Sequence, residues 1–166
     1  MCSHGRDNKI HVYQLPATDP VYAEVPSPSS PSSIEPLYSV DVNALGYCKC
    51  SLTQLPDPQQ ALIAVPSVLH DELLDIFHLP SCKRVFRSIG KDTFESKTGT
   101  VMALSLFFGV DRLLCVGASY EDGRVACFVL EQNSEDWSIG LSEENEGWQK
   151  IFEEKQHREP SQSTRH

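Results

Sequence analysis

The stretch LLCVGASYEDGRVACFVL, Leu113 to Leu130, decides the fold class. Two runs rich in β-branched, aromatic and small apolar residues flank the pair Asp122-Gly123. Such a pair is one of the strongest short signals for a β-hairpin, because glycine accepts the positive φ of a tight turn. Both runs are apolar on both faces, as in strands that are covered on two sides. The stretch therefore predicts a hairpin in a sheet stacked between neighbouring layers.

A second stretch repeats this plan. ALIAVPSVLHDELLDIFHLP, Ala61 to Pro80, has two apolar runs joined by a looser turn at His70 to Glu72. Other segments around the two hairpins have the apolar or alternating pattern of strands. These strand candidates are Val42 to Ser51, Lys83 to Gly90 and Thr100 to Phe108. The sequence thus predicts units of four short strands.

An aspartate followed six residues later by an aromatic marks three units. The pairs are Asp7 with Tyr13, Asp71 with Phe77, and Asp122 with Phe128. Recurring four-stranded units are typical of a β-propeller, although the spacing here exceeds the about 40 to 45 residues of a WD repeat. In such a blade the aspartate carboxylate accepts backbone N–H groups in the turn between the second and third strands, and the aromatic closes the third strand.

The predicted fold is all-β, a WD40-type β-propeller present as a partial propeller of about two and a half to three blades. The Trp-Asp dipeptide is absent from all three units, where the corresponding pairs are Tyr13-Gln14, Phe77-His78 and Phe128-Val129. Extra residues are expected in loops, because a propeller blade itself needs only four short strands.

The predicted organisation follows from these units. Residues 1–15 end a first blade, 16–37 form a Pro/Ser-rich insertion or linker, and 38–90 form a second blade. Residues 97–156 form a third blade with an acidic loop at 131–147, and 157–166 are the start of a further blade or a tail. Both ends look cut, and we expect a truncated gene model or isoform rather than a ring completed by partner chains.

Proline excludes residues 16–37 from a sheet interior, because it removes a donor from the strand ladder. Ser27 and Ser30 each precede a proline in this segment and are candidate phosphorylation sites for a proline-directed kinase. The alternative is that these dipeptides are ordinary loop residues.

Charge and composition exclude several function classes. The net charge is -9, with 23 acidic against 14 basic residues, which argues against a nucleic-acid-binding surface. The sequence contains no run of eighteen apolar residues, so it predicts no membrane span. The N-terminus lacks the apolar core of a signal peptide, and we therefore expect an intracellular protein. The six cysteines lack C-x-x-C pairs and are expected to be reduced thiols rather than zinc ligands.

No catalytic motif is recognisable. Gly90-Lys91 lacks the earlier glycine and the following Ser or Thr of a phosphate-binding loop, and H-E-x-x-H, G-x-S-x-G and G-x-G-x-x-G are absent. His70 beside Asp71 could be an oriented base, but the blade interpretation places both in a turn between strands. We therefore expect no enzyme, cofactor or metal site; the alternative is an intracellular enzyme of unrecognised type that uses His or Cys.

Several segments together carry a family resemblance. They are SHGRDNKIHVYQLP, VNALGYCKCS, LIAVPSVLHDELLDIFHLPSCKRV, GTVMAL, GASYEDGRVACFVL and WQKIFEEKQHREP, between about Ser3 and Pro160. The chain resembles the ASTRA-associated protein 1 family, which is itself similar to guanine nucleotide-binding protein β-subunit-like proteins. This resemblance also suggests that Trp148 to Phe152 is an outer blade strand.

The resemblance implies a WD-repeat scaffold of the ASTRA complex, located in the nucleus, with the cytoplasm as a further location. It implies roles in chromatin regulation and in the assembly of PI3-kinase-related kinases. The implied partners are ASTRA components, AAA+ helicases, a PI3-kinase-related kinase and its cochaperones. The alternatives are a truncated fragment without function and a Gβ-like signalling subunit, although the residues before Asp7 lack the heptads of a Gβ N-terminal helix.

Overall fold

The computed structural model describes residues 2–14, 35–42, 48–131 and 147–155. The first sheet has strands β1 Cys2–His4, β2 Lys9–Val12 and β3 Tyr38–Asp41. The second has β4 Ser51–Gln54, β5 Ala61–Pro66, β6 Leu74–Leu79 and β7 Lys83–Ile89. The third has β8 Val101–Phe108, β9 Leu114–Tyr120, β10 Arg124–Leu130 and β11 Trp148–Lys155, with a short 3-10 turn at Val110–Arg112 between β8 and β9.

Each sheet is an antiparallel meander in which consecutive strands are neighbours. The all-β prediction is confirmed, and the described part of the chain contains no α-helix. It therefore also contains no helix with the length and apolarity needed to cross a bilayer. The predicted hairpins β5–β6 and β9–β10 and the strands β7, β8 and β11 are all present.

The second sheet lies between the other two. Leu62 and Ile76 point into a core shared with the third sheet, whereas Ile63 and Phe77, their neighbours on the same strands, point into a core shared with the first sheet. Side chains alternate between the two faces of a strand, so a strand buried on both faces must be apolar at every position. The β5–β6 hairpin is thus apolar on both faces because it is buried on both faces, as its sequence pattern predicted.

The three described sheets stack in chain order and do not close into a ring. One core joins the first and second sheets, and the other joins the second and third. Burying apolar surface at about 25 cal/mol per Å² makes these two cores the main source of stability.

The structure differs from the sequence prediction at the start of the second sheet. Tyr38–Asp41 pairs with β2 of the first sheet, although the second unit was expected to begin at residue 38. Of the predicted strand from Val42 to Ser51, residues 43–47 lie outside the described residues; Val42 and residues 48–50 are not in a strand, and β4 begins at Ser51. The Val42 side chain is buried with Ile10, and its N–H donates to the Asn8 carbonyl at 2.9 Å, so this residue continues the first sheet.

Several predictions lie outside the described residues. They concern most of the Pro/Ser-rich segment with Ser27 and Ser30, most of the acidic loop, and the tail from 157 to 166.

Candidate interaction surface

The three turn aspartates occupy equivalent positions but make different contacts. Asp7 Oδ1 accepts the Lys9 N–H at 3.3 Å, and Asp122 Oδ1 accepts the Arg124 N–H at 3.0 Å. Gly123 follows Asp122 with a φ of 83°, a conformation that favours glycine. Among the described residues no amide donates to the Asp71 carboxylate; its backbone carbonyl instead accepts the Val101 N–H at 2.9 Å. Asp71 therefore connects the β5–β6 turn to the first strand of the third sheet.

The aromatic residues of the repeated frame also occupy comparable places. Phe77 in β6 packs into the core shared with the first sheet, and Phe128 in β10 packs into the core shared with the second sheet. Each ring thus points toward the sheet that precedes its own in the chain. Tyr13 follows β2, where its ring lies 6.3 Å from the His11 ring, centroid to centroid. The frame therefore marks the same face of successive sheets.

A groove of about 1240 Å³ lies between turns of the second and third sheets. One part of its wall is the β5–β6 turn with Leu69, His70 and Asp71, and another is the end of β7 from Arg87 together with the connection that follows it to Thr100. His70 makes no ring contact to Asp71 among the described residues, so the structure does not assemble the base that the sequence suggested as an alternative. Leu69 at the groove is 64% exposed, a large apolar side chain available to a partner.

The long wall of the groove is held in place by contacts to the third sheet. The Phe94 ring lies 5.1 Å from the Arg124 guanidinium carbon and 4.7 Å from the Lys150 ammonium, within cation–π range. Within the wall itself, Thr93 donates its hydroxyl to the Gly90 carbonyl at 2.7 Å. Thr100 donates its hydroxyl to Glu121 at 3.2 Å. The groove is therefore preorganised, which lowers the entropy cost of binding.

Charged side chains of both signs line the groove. Basic residues are Arg87, Lys91 and Lys97, and acidic residues are Asp71, Glu72, Asp92, Glu95 and Glu121. Within the described part of the chain no ion pair engages any of the three basic residues. Their charges are available to carboxylates or backbone carbonyls of another protein, at little desolvation cost because two of them are exposed.

A Ser–His–Asp contact lies on the first sheet. His11 Nδ1 is 2.8 Å from Ser39 Oγ, and His11 Nε2 is 2.9 Å from Asp7 Oδ2. The hydrogen bond with His11 lowers the pKa of Asp7. A hydrolytic triad needs an oxyanion site and a substrate cavity, and these residues line neither cavity described for this chain. The contact instead fastens β2 to β3 and to the preceding turn.

Sequence reasoning missed the buried carboxylate Asp75. It lies in β6 with no exposed surface, accepts the Ser88 N–H at 2.9 Å and pairs with Arg84 at 3.1 Å. Ser88 has a φ of 56°, and the β6–β7 register shifts beside Asp75, so the carboxylate holds an irregular part of β7. The available signal was one acidic residue within a mainly apolar strand that also contains His78.

The cysteines and histidines give no metal centre in the described residues, where no cluster of three or more potential ligands occurs. All six thiols are free. Burial raises the pKa of Cys48 to about 11, which keeps this thiol protonated at neutral pH. Lys150 and Glu153 form an ion pair beside Arg124, where the charges fasten β11 to the rest of the third sheet.

No family model and no solved structure matches the chain. A relative from Aspergillus flavus is 30% identical over 97% of this chain and 45% of its own length, and one from Penicillium rubens is 32% identical over 95% and 41%. A third, from Pyricularia oryzae, is 33% identical over 96% of this chain and 34% of its own length. All three are named ASTRA-associated protein 1, and the chain spans less than half of each. The resemblance of this chain to the ASTRA-associated protein 1 family is thereby confirmed over nearly its whole length.

Proposed function

We propose that this chain is part of a non-enzymatic WD40-type β-propeller scaffold that associates with the ASTRA complex. The observation that carries the proposal is the shared name of relatives that are 30 to 33% identical and match nearly the whole chain. The chain spans less than half of those relatives, and we propose that this part itself carries a surface through which the association occurs.

The stacked sheets support the propeller part of the proposal. Two four-stranded meanders follow each other in the chain, and each turns the aromatic of the repeated frame toward the preceding sheet. Repeated four-stranded units that bury their faces against neighbours in chain order are the building plan of a propeller. The three-stranded first sheet uses the same turn aspartate, Asp7.

The groove between the second and third sheets is the proposed partner-binding surface. It has preorganised walls, an exposed apolar side chain at Leu69, and basic groups at Lys91 and Lys97 that no described acid engages. Apolar anchors surrounded by complementary charges are the usual composition of protein interfaces.

The wider role is proposed from the family resemblance. The scaffold would act in the nucleus, in chromatin regulation and in the assembly of PI3-kinase-related kinases. Its partners would be ASTRA components, including AAA+ helicases, a PI3-kinase-related kinase and its cochaperones.

Affinity purification of the tagged chain from nuclear extract, followed by mass spectrometry, tests the proposal. The expected result is recovery of AAA+ helicases or kinase cochaperones, reduced at least fivefold in the double variant Lys91→Glu with Lys97→Glu. The matched control is Lys49→Glu with Lys83→Glu, because these two lysines are exposed outside the groove. Recovery of only general chaperones by a chain with a native circular dichroism spectrum would contradict the scaffold assignment.

A further inference from the structure

One serine in the groove wall contacts a buried arginine. Ser96 is exposed and lines the groove. Its Oγ atom accepts a hydrogen bond from the Nη2–H of Arg124 at 2.9 Å. Arg124 is the first residue of β10 and is only 6% exposed. The Ser96 hydroxyl therefore connects the surface of the groove to a buried guanidinium group.

The Arg124 guanidinium has one donor without a partner. Its Nη2 atom also donates to Asp122 at 3.1 Å, and its Nη1 atom lies 3.1 Å from Glu153 Oε1. Its Nε–H group is buried and meets no hydrogen-bond acceptor in the described part of the chain. A buried donor without an acceptor destabilises the folded state. Nε–H and an adjacent Nη–H form the fork with which arginine holds a phosphate group through two oxygens.

The charges around this guanidinium favour a further anion. Two carboxylates are paired with three cations in the network, which consists of Asp122, Glu153, Arg124, Lys150 and Lys155. The sequence neighbours of Ser96, Glu95 and Lys97, add one charge of each sign. A phosphate group on a serine carries a charge of about −1.5 to −2 at neutral pH. On Ser96 it would meet a surplus of positive charge and an unpaired donor.

The segment around Ser96 is accessible to a modifying enzyme. Residues 95–97 are exposed and lie outside the strands. Among the described residues, no backbone hydrogen bond involves residues 94–97. A loop whose backbone is not held in a sheet can take up an extended conformation in another active site at little cost. Thr98 in the same loop is only 2% exposed, which distinguishes it from Ser96.

We propose that Ser96 is a phosphorylation site, that Arg124 holds its phosphate, and that the modification controls partner binding in the groove. A Ser/Thr protein kinase transfers the γ-phosphoryl group of ATP to Ser96 Oγ. The bond between phosphorus and Oγ forms, the bond from the γ-phosphorus to the β–γ bridging oxygen breaks, the hydroxyl proton leaves to solvent, and ADP is released. Phosphate oxygens then accept both the Nη2–H and the Nε–H of Arg124.

Phosphorylation changes the charge of the groove where the partner is proposed to bind. Ser96 directly precedes Lys97, and Lys91 and Lys97 are groove cations that no described acid engages. A dianion beside them repels the carboxylates that these lysines attract, so the modified chain releases its partner. This consequence rests on the proposed function of the groove. The modification and its contact with Arg124 do not, so the two can fail separately.

The first measurement determines whether the modification occurs. The tagged chain is expressed in fungal cells, purified with phosphatase inhibitors and analysed by phosphopeptide mass spectrometry. The expected result is phosphate on Ser96 and none on the buried Thr98. Only unmodified Ser96 in peptides that cover this loop would overturn the proposal.

The second measurement tests the contact with Arg124. Phosphoserine is introduced by genetic code expansion at position 96 or, as the matched control, at Ser105, which is exposed in β8. In a ³¹P NMR titration the second pKa of phosphoserine, ordinarily about 6, should be about one unit lower at position 96, because Arg124 stabilises the dianion. Arg124→Gln should remove most of this difference. Equal pKa values at the two positions of folded chains would overturn the proposal, and this comparison stands even if Arg124→Gln does not fold.

The third measurement titrates the isolated ASTRA complex with the unmodified chain and with the two phosphorylated chains. Binding should be at least tenfold weaker with phosphoserine at position 96 and unchanged with phosphoserine at position 105. Equal binding by the unmodified chain and the chain phosphorylated at position 96 would overturn the control of partner binding. No binding by any chain would contradict the proposed function, and the first two measurements would still decide whether Ser96 is modified and held by Arg124.

Discussion

Asp75 offers the sharpest test of how the second sheet is held together. Its carboxylate is fully buried in β6 and accepts the Ser88 N–H at 2.9 Å and an Arg84 N–H at 3.1 Å. Asp75→Ala leaves the Ser88 amide without a partner, which costs about 1–3 kcal/mol. The lost ion pair adds about 1 kcal/mol, because the Arg84 side chain is 32% exposed and can be solvated by water.

The expected total is a loss of about 3 kcal/mol in the free energy of unfolding, or a melting temperature lower by about 6–12 °C for a chain of this size. Urea denaturation followed by far-UV circular dichroism measures it. Asp71→Ala is the matched control, since its carboxylate accepts no described hydrogen bond and its exposed position predicts a change within about 0.5 kcal/mol. A loss below about 1 kcal/mol for Asp75→Ala, or equal losses for the two variants, would refute the reasoning.

Arg84 tests the same contact from the other side. Arg84→Ala leaves the buried Asp75 charge with only one hydrogen bond, so the loss should equal or exceed that of Asp75→Ala. The double variant should be less destabilised than the two single losses combined, because both remove the same interaction. Strict additivity in this cycle would show that the two side chains do not interact.

Three further predictions concern local contacts. Gly123→Ala should lower the free energy of unfolding, measured by urea denaturation, by about 1–2 kcal/mol, because alanine must adopt the φ of 83°. An unchanged free energy of unfolding would contradict the positive φ at this turn. Phe94→Leu should cost about 1–2 kcal/mol, since it removes the ring beside Arg124 and Lys150, and the loss should shrink in high salt; a salt-independent loss would indicate packing alone. Burial lowers the pKa of His78 below 6.5, so the folded protein favours the neutral ring. The contribution of this residue to stability is therefore complete above about pH 6.5 and is lost as the pH falls below that value. Thermal unfolding of the wild type should therefore shift down between neutral pH and about pH 5, and less so in His78→Gln; an identical shift in both would exclude His78.

Much of the fold was predictable because its signals are local. The Asp122-Gly123 turn and the two-sided apolar runs around it determined both strands of the β9–β10 hairpin. The same reasoning found the β5–β6 hairpin, where the turn is longer but the strands are buried on both faces. Local preference and packing agree fully for β5–β6, whereas β9–β10 was predicted to be covered on both faces and, among the described residues, buries mainly one.

The first sheet was harder to predict, because β2 and β3 are far apart in the chain. Nothing local to Tyr38–Asp41 indicates that it pairs with Lys9–Val12 across the Pro/Ser-rich segment. The apolar residues after Asp41 therefore suggested a strand of the next unit, whereas Val42 belongs to the core of the first sheet. Non-local pairing is determined by tertiary packing and leaves little trace in a single sequence.

The candidate surface was only partly predictable. Asp71 was identified as a turn residue, but its carbonyl contact to Val101 and the groove beside it depend on how two sheets stack. Asp75 and Phe94 carried no distinctive signal, because a single acid in an apolar strand and a single aromatic in a polar segment are both common. Their roles follow from the partners that the fold brings to them, Arg84 for one and Lys150 for the other.

The central claim is that the groove of this chain binds the ASTRA complex. The most direct measurement is a titration of the purified chain against the isolated ASTRA complex, for the wild type and for Lys91→Glu with Lys97→Glu. The account predicts saturable binding by the wild type and at least tenfold weaker binding by the double variant. Absence of saturable binding by a folded wild-type chain, or equal binding by the two chains, would contradict it.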